Sequence, residues 1–172
     1  MKRLIAGITA LAVTVAVTAF GLGYAAAQNA PKPPSNDWLL DAPDDTERFK
    51  LLQRYLRGFD QPMWEVGYRY EGIHDALKRS NFKLAAYHWD KIKTTIENGY
   101  LKRPARRANA EALLFASGVH AEVKTAFESG DSTKAWAAFA KARTTCMACH
   151  DAEKLPEMNG QAMFHDLAIP TR

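Results

Sequence analysis

Cysteine is nearly absent from this chain. Two of its 172 residues are cysteine, and they stand three apart as Cys146 and Cys149 in the stretch TTCMACHDAE, residues 144–153. So few thiols exclude a disulfide scaffold, and a bridge across the pair would close too short a loop to hold a fold of this size together. No second C-x-x-C and no H-x-x-x-H lies nearby, so a zinc site would be one ligand short of its usual four. The chain also lacks strand signals of any length, a glycine-rich phosphate loop and an internal repeat. A paired general acid and base, a nucleophile elbow and a second cofactor motif are missing as well, so the sequence gives no reason to expect an enzyme. Charge of one sign is not in excess: the formal net charge is +4, which does not argue for nucleic acid.

Long apolar runs are confined to the beginning. Lys2 and Arg3 precede an uncharged run from Leu4 to Phe20, and Ala25-Ala26-Ala27 follows before Gln28. This is the n-region, h-region and small-residue cleavage site of a secretory signal. The run is near the lower limit for a bilayer span, so an uncleaved anchor is the alternative, and membrane contact is expected only in that case. With residues 1–27 as a cleaved signal peptide, the protein is exported and periplasmic, and the mature charge falls to +2, since no acidic residue precedes Gln28. Pro31, Pro33 and Pro34 make residues 28–43 an extended, flexible linker. Residues 44–172 are then one domain.

What the domain does contain is helical periodicity. A leading helix over 44–59 carries Phe49, Leu52, Tyr55 and Leu56 and stops at Gly58. Residues 62–80 start with Pro62 and repeat Met63, Val66, Tyr70, Ile73 and Leu77 along one stripe. Residues 81–99 open with Asn81 as a cap, carry Phe82, Ala85, Trp89, Ile92 and Ile96, and close at Asn98-Gly99. The segment 108–130 presents Leu113, Ala116, His120, Val123 and Phe127, widened by a second row of Ala112, Phe115, Val119 and Ala126. The last, 131–150, is capped by Asp131 and aligns Trp136, Phe139, Arg143, Cys146 and His150. The fold class expected is all-α: an antiparallel four-helix bundle with an extra N-terminal helix and a short C-terminal tail, its one long connection being 99–107.

The cysteine pair can now be placed. On a helix Cys146, Cys149 and His150 share a face, so one flat ligand could meet all three. C-x-x-C-H is the attachment pattern of c-type haem: two thiols bind the vinyl groups and the adjacent histidine reaches the iron. A thioredoxin-like pair would need a βαβ setting and a cysteine at a helix N-terminus, whereas Cys146 lies well inside its helix. The expectation is one covalently attached haem c, with Cys146 and Cys149 as its attachment points and His150 as the proximal iron ligand.

A four-helix bundle with C-x-x-C-H near the end of its last helix resembles the class II cytochromes c, the group of cytochrome c′ and its low-spin relatives. The resemblance covers about residues 60–154, and Lys154 matches a basic residue common in the family four positions after the haem histidine. The leading helix and the tail from Leu155 depart from the pattern. The resemblance implies a monohaem electron carrier, alone or as the haem subunit of an oxidoreductase. The alternative is a five-coordinate protein that binds nitric oxide or carbon monoxide. Family members often pair through their first two bundle helices, which allows a homodimer. In the family the residue facing the open side of the iron comes from the first bundle helix. Met63 is the candidate distal ligand there, with a core role as its alternative and Val66 as a rival for the position.

Other histidines and methionines have weaker claims. His74 and His120 lie on or beside core stripes, where a histidine is more often simply hydrogen-bonded. His88 and His165 read as surface or tail residues, and Met158 and Met163 as parts of a mobile tail. Lys102, Arg103, Arg106 and Arg107 crowd the connection LKRPARR. They read either as a solvated loop or as a docking patch for an acidic redox partner, since complementary charge speeds encounter. Trp64, Tyr68, Tyr70, Trp89 and Trp136 read mostly as core.

Overall fold

The computed structural model describes residues 36–170, and the proposed signal peptide lies outside them. Among the described residues the protein is all-helical, with no strand. The chain divides between Leu51 and Leu52 into two compact units.

In the first unit, the described part of the expected linker is not simply extended. The Asp41 N–H donates to the Asp37 carbonyl at 2.9 Å, and Arg48 Nε donates back to the Leu39 carbonyl at 2.9 Å. Helix α1 (Asp45–Tyr55), whose last residues from Leu52 fall in the second unit, is capped by Asp44, whose carboxylate accepts the Glu47 N–H at 2.9 Å. None of its residues is buried, and Phe49 is 67% exposed, so the expected apolar stripe is not a core stripe.

The second unit is built on α2 (Asp60–Lys78), α3 (Phe82–Lys102), α4 (Arg107–Ala110), α5 (Val119–Glu128), α6 (Ser132–Ala152) and α7 (Ala162–His165). Helix α2 packs most extensively on α3, α5 packs on both α3 and α6, and α2 also meets α6. Their apolar stripes converge: Tyr70, Ile73 and Leu77 from α2, Ala85, Trp89, Ile92 and Ile96 from α3, Val123 and Phe127 from α5, and Ala135, Phe139 and Ala142 from α6 are all buried. Each valine, leucine or isoleucine so buried contributes about 1.5–3 kcal/mol.

The turns follow from local hydrogen bonding. Helix α2 ends where the Asn81 N–H returns to the Ala76 carbonyl (2.8 Å) and the Ser80 N–H to that of Leu77 (2.9 Å), with Ser80 left-handed at φ 54°. Asn81 then caps α3, its side chain accepting the Leu84 N–H at 3.1 Å, and Asp131 caps α6 by accepting the Lys134 N–H at 3.1 Å.

Two expected boundaries move. Helix α3 does not stop at Asn98-Gly99: Gly99 is buried within it, and the helix runs to Lys102. The 99–107 connection is therefore not a long loop but a 3₁₀ turn, Pro104–Arg106, leading into α4. The segment 108–130 is not one helix. A π-helical turn, Glu111–Phe115, follows α4, and Gly118 at φ 81° breaks the chain before α5. The extra residue in the π turn shifts the register, so Leu114 is buried while Leu113 is only half-buried and Ala112 and Ala116 are exposed.

Candidate functional site

Helix α6 delivers the cysteine pair and the histidine. Its N-terminal half carries core residues, and one further turn along the same face come Cys146, Cys149 and His150, each half-buried. All three line one cavity of about 520 Å³, within the roughly 300–1,000 Å³ typical of small-molecule sites. The expected face is thus assembled. Opposite walls come from Met63, Val66, Gly67 and Tyr70 of α2, Ile96 of α3, and Ala110 and Leu114. The cavity is apolar apart from a polar fringe that includes Asp60, Arg103, Arg106 and Glu153.

Both cysteines are free thiols. Burial pushes the Cys146 thiol up to about 12, with the neighbouring Cys149 adding to the effect. Cys149 is also raised, by burial first and then by Glu153, against an opposing effect of Arg106. Both stay protonated at neutral pH, the reverse of the lowered thiol pKa that dithiol exchange requires. Among the described residues, no group of three His, Cys, Asp or Glu side chains is arranged to hold a metal ion. Two thiols and one imidazole on one apolar cavity are, by contrast, a donor set that fits a covalently held haem.

The segment after α6 is a wall of this cavity, not the loose tail expected. The Leu155 N–H bonds back to the His150 carbonyl (2.9 Å) and the Lys154 N–H to that of Asp151 (3.0 Å), with Lys154 left-handed at φ 61°. That reversal sends residues 155–170 back along the domain. Arg143 donates to the Leu167 carbonyl and His74 Nε2 meets the Ala168 carbonyl at 2.9 Å. Phe164 is buried against Tyr70 and set edge-on to the His150 ring, 5.7 Å between centroids. Leu155, Met158, Met163 and Phe164 all line the cavity. Gly67 makes room for this segment: a Cβ there would stand 2.8 Å from Met163 Cε.

Met63 is on the cavity wall, half-buried, and Val66 is beside it. Sequence reasoning missed that Met158 and Met163 share that wall. The only signal for it was the apolar spacing of Met163, Phe164 and Leu167. His74 and His120 do not line the cavity. His74 is turned to Ala168, and His120 Nε2 meets the Trp89 carbonyl at 3.3 Å while its ring stacks on Trp89. His88 is half-buried against Gly72 rather than on the surface, and His165 is exposed. Lys154 is exposed in its turn and lies off the cavity. Trp89 and Tyr70 are core, but Trp64 and Tyr68 are 84% and 70% exposed.

The basic cluster is largely engaged within the domain. Lys102 Nζ donates to the Leu56 carbonyl (2.9 Å) and to Gln61 (2.6 Å), Arg106 pairs with Glu153, and Arg107 lies 3.6 Å from Glu111. Arg103 and Arg106 stand at the cavity fringe.

Comparison of the chain with protein-family models, with curated proteins and with solved structures found no match. No described helix is long and apolar enough to cross a membrane. The functional reading therefore rests on the cavity and the residues that line it.

Proposed function

We propose that the protein is an exported monohaem c-type cytochrome that carries electrons, alone or as the haem subunit of an oxidoreductase. The observation that carries this reading is the convergence of Cys146, Cys149 and His150 on one apolar cavity of about 520 Å³. The reading takes the helical unit as an antiparallel four-helix bundle of the class II cytochrome c kind. Its helices are α2, α3, the interrupted pair α4 and α5, and α6, supported by their packing and by the short turns at Ser80 and Gly130.

Cys146 and Cys149 hold the haem through thioether bonds, and His150 binds its iron. When bound, the group supplies a one-electron Fe(III)/Fe(II) couple whose potential follows from axial ligation and burial. The remaining work belongs to the chain. The apolar wall of Val66, Ile96, Leu114 and Phe164 keeps water from the site and lowers the local dielectric. Arg103 and Arg106, at the cavity fringe, would meet carboxylates on the rim of the group, Arg106 while paired with Glu153. Met63 is the distal candidate that the resemblance names. Docking of an acidic redox partner falls to the basic surface around Lys102, Arg103, Arg106 and Arg107.

The test is expression together with cytochrome c maturation machinery. The purified protein should stay red after denaturation and acid-acetone extraction, and Cys146→Ala with Cys149→Ala should lose the colour. Haem that extracts intact from the wild type would overturn the reading. A low-spin spectrum indifferent to carbon monoxide supports the carrier, whereas a high-spin ferrous form that binds it at once moves the gas-binding alternative ahead.

A further inference from the structure

We propose that Asn159 is the positioning residue of His150: it holds the imidazole with its proton on Nδ1 and so presents Nε2 as the donor to iron. This rests on the reading of His150 as the iron ligand. His150 Nδ1 lies 3.0 Å from Asn159 Oδ1. A carboxamide can face a ring nitrogen with either end, but here its own partners decide which. Asn159 Nδ2 donates to Asp151 Oδ1 at 2.8 Å and reaches the Met147 carbonyl at 3.3 Å, both of which only accept. The NH2 end is therefore committed, and Oδ1 is the end that meets His150. An oxygen acceptor requires a proton on Nδ1, which leaves the lone pair on Nε2.

Asn159 is itself held in place. It sits in the 3₁₀ turn Pro156–Gly160, which the reversal at Lys154 sets directly beneath the last turn of α6. Its backbone carbonyl accepts from His165 Nε2 at 2.9 Å. Asp151, the residue after the histidine, thus acts on His150 through Asn159: it fixes the amide that fixes the ring. Partners of this kind orient a metal-bound histidine and raise its basicity. An imidazole whose Nδ1–H has an acceptor donates more strongly to iron and favours the ferric state.

The experiment uses the haem-loaded protein equilibrated with a redox dye of known potential. Asn159→Leu removes the acceptor at similar volume and should shift the equilibrium toward ferrous iron by about tenfold, taking as the scale the smallest effect such partners have on metal affinity. Asp151→Ala, which leaves Asn159 but frees its NH2 end, should shift it less and in the same direction. Thr94→Ala is the control: Thr94 is exposed, lies off the cavity and donates to the Asp90 carbonyl, so it should leave the equilibrium in place. Red colour retained in denaturant shows that the haem reading stands in each variant. If Asn159→Leu keeps its haem and helix content while its equilibrium matches that of wild type, Asn159 only supports the turn and the proposal fails. Should that variant not fold, an unshifted Asp151→Ala overturns it equally.

Discussion

The two ends of the helical unit share helices and differ in what those helices leave between them. At one end Ile73, Trp89, Ile92, Val123 and Phe139 are completely buried and fill the space. At the other, the same stripes of α2 and α6 continue as Met63 and Val66, and as Cys146 and His150, all half-buried around an open cavity. Periodicity is unbroken from end to end, so what changes is side-chain volume and the separation of the walls. A continuous amphipathic stripe thus shows that a face is turned inward, not that anything protein-made fills the space it faces.

Breaking the closed end should cost the most stability and the least function. Phe139 stacks on Tyr70 at 4.6 Å between ring centroids, and Phe139→Ala should destabilise by about 3–5 kcal/mol, measured by urea unfolding. If the proposed haem reading holds, the variant should still attach haem, because Phe139 is not on the cavity wall. Loss of covalent haem in a folded Phe139→Ala protein would show that the two ends are not separable.

Acid should act on the closed end next. Burial holds the His120 pKa below its usual 6.5, outweighing the carboxylate of Asp90, 3.9 Å away, while the nearby Lys93 and Lys124 push the same way as burial. The unfolded chain binds that proton more readily than the folded one. The stability contributed by neutral His120 is therefore complete above about pH 6.5 and is lost as pH falls from there toward the lowered pKa of the folded state. His120→Gln should flatten that part of the stability profile, and an unchanged slope would clear His120 of the effect.

At the open end the expected stability change is smallest. Met63→Ala removes a side chain that already borders space, so it should cost about 1 kcal/mol or less, well under Phe139→Ala by the same urea measurement. If thioether ligation is correct, it should also abolish the weak near-infrared band of the oxidised protein and open the iron to carbon monoxide. A cost equal to that of Phe139→Ala would mean that Met63 belongs to the packed core.

Much of this was legible in the sequence where a local rule governs. The stripes of α2, α3 and α6 and the caps Asn81 and Asp131 depend on spacing and on one side chain each, and they stand where periodicity puts them. The cysteine pair and histidine share a cavity because positions three and four apart share a helix face. What was not legible depends on distant partners. Gly99 reads as a stop but lies buried in α3, where a Cβ would be 2.6 Å from the Phe59 ring. The π turn at Glu111–Phe115 hides because an apolar pattern survives on both sides of it. The segment from Leu155 reads as loose because Arg143 and His74, which hold it, are respectively 24 and 94 residues away from their partners along the chain.

The reversal at Lys154 also imposes an order in time. The motif C-M-A-C-H precedes Leu155, Met158, Met163 and Phe164 in the chain, yet those later residues form one side of the chamber. A nascent chain interrupted just after Lys154 would already display both thiols and the histidine, but with that side of the chamber missing and without Asn159 behind the imidazole. On the proposed haem reading, the attachment residues are therefore complete in the chain before the residues that enclose the attached group have been synthesised.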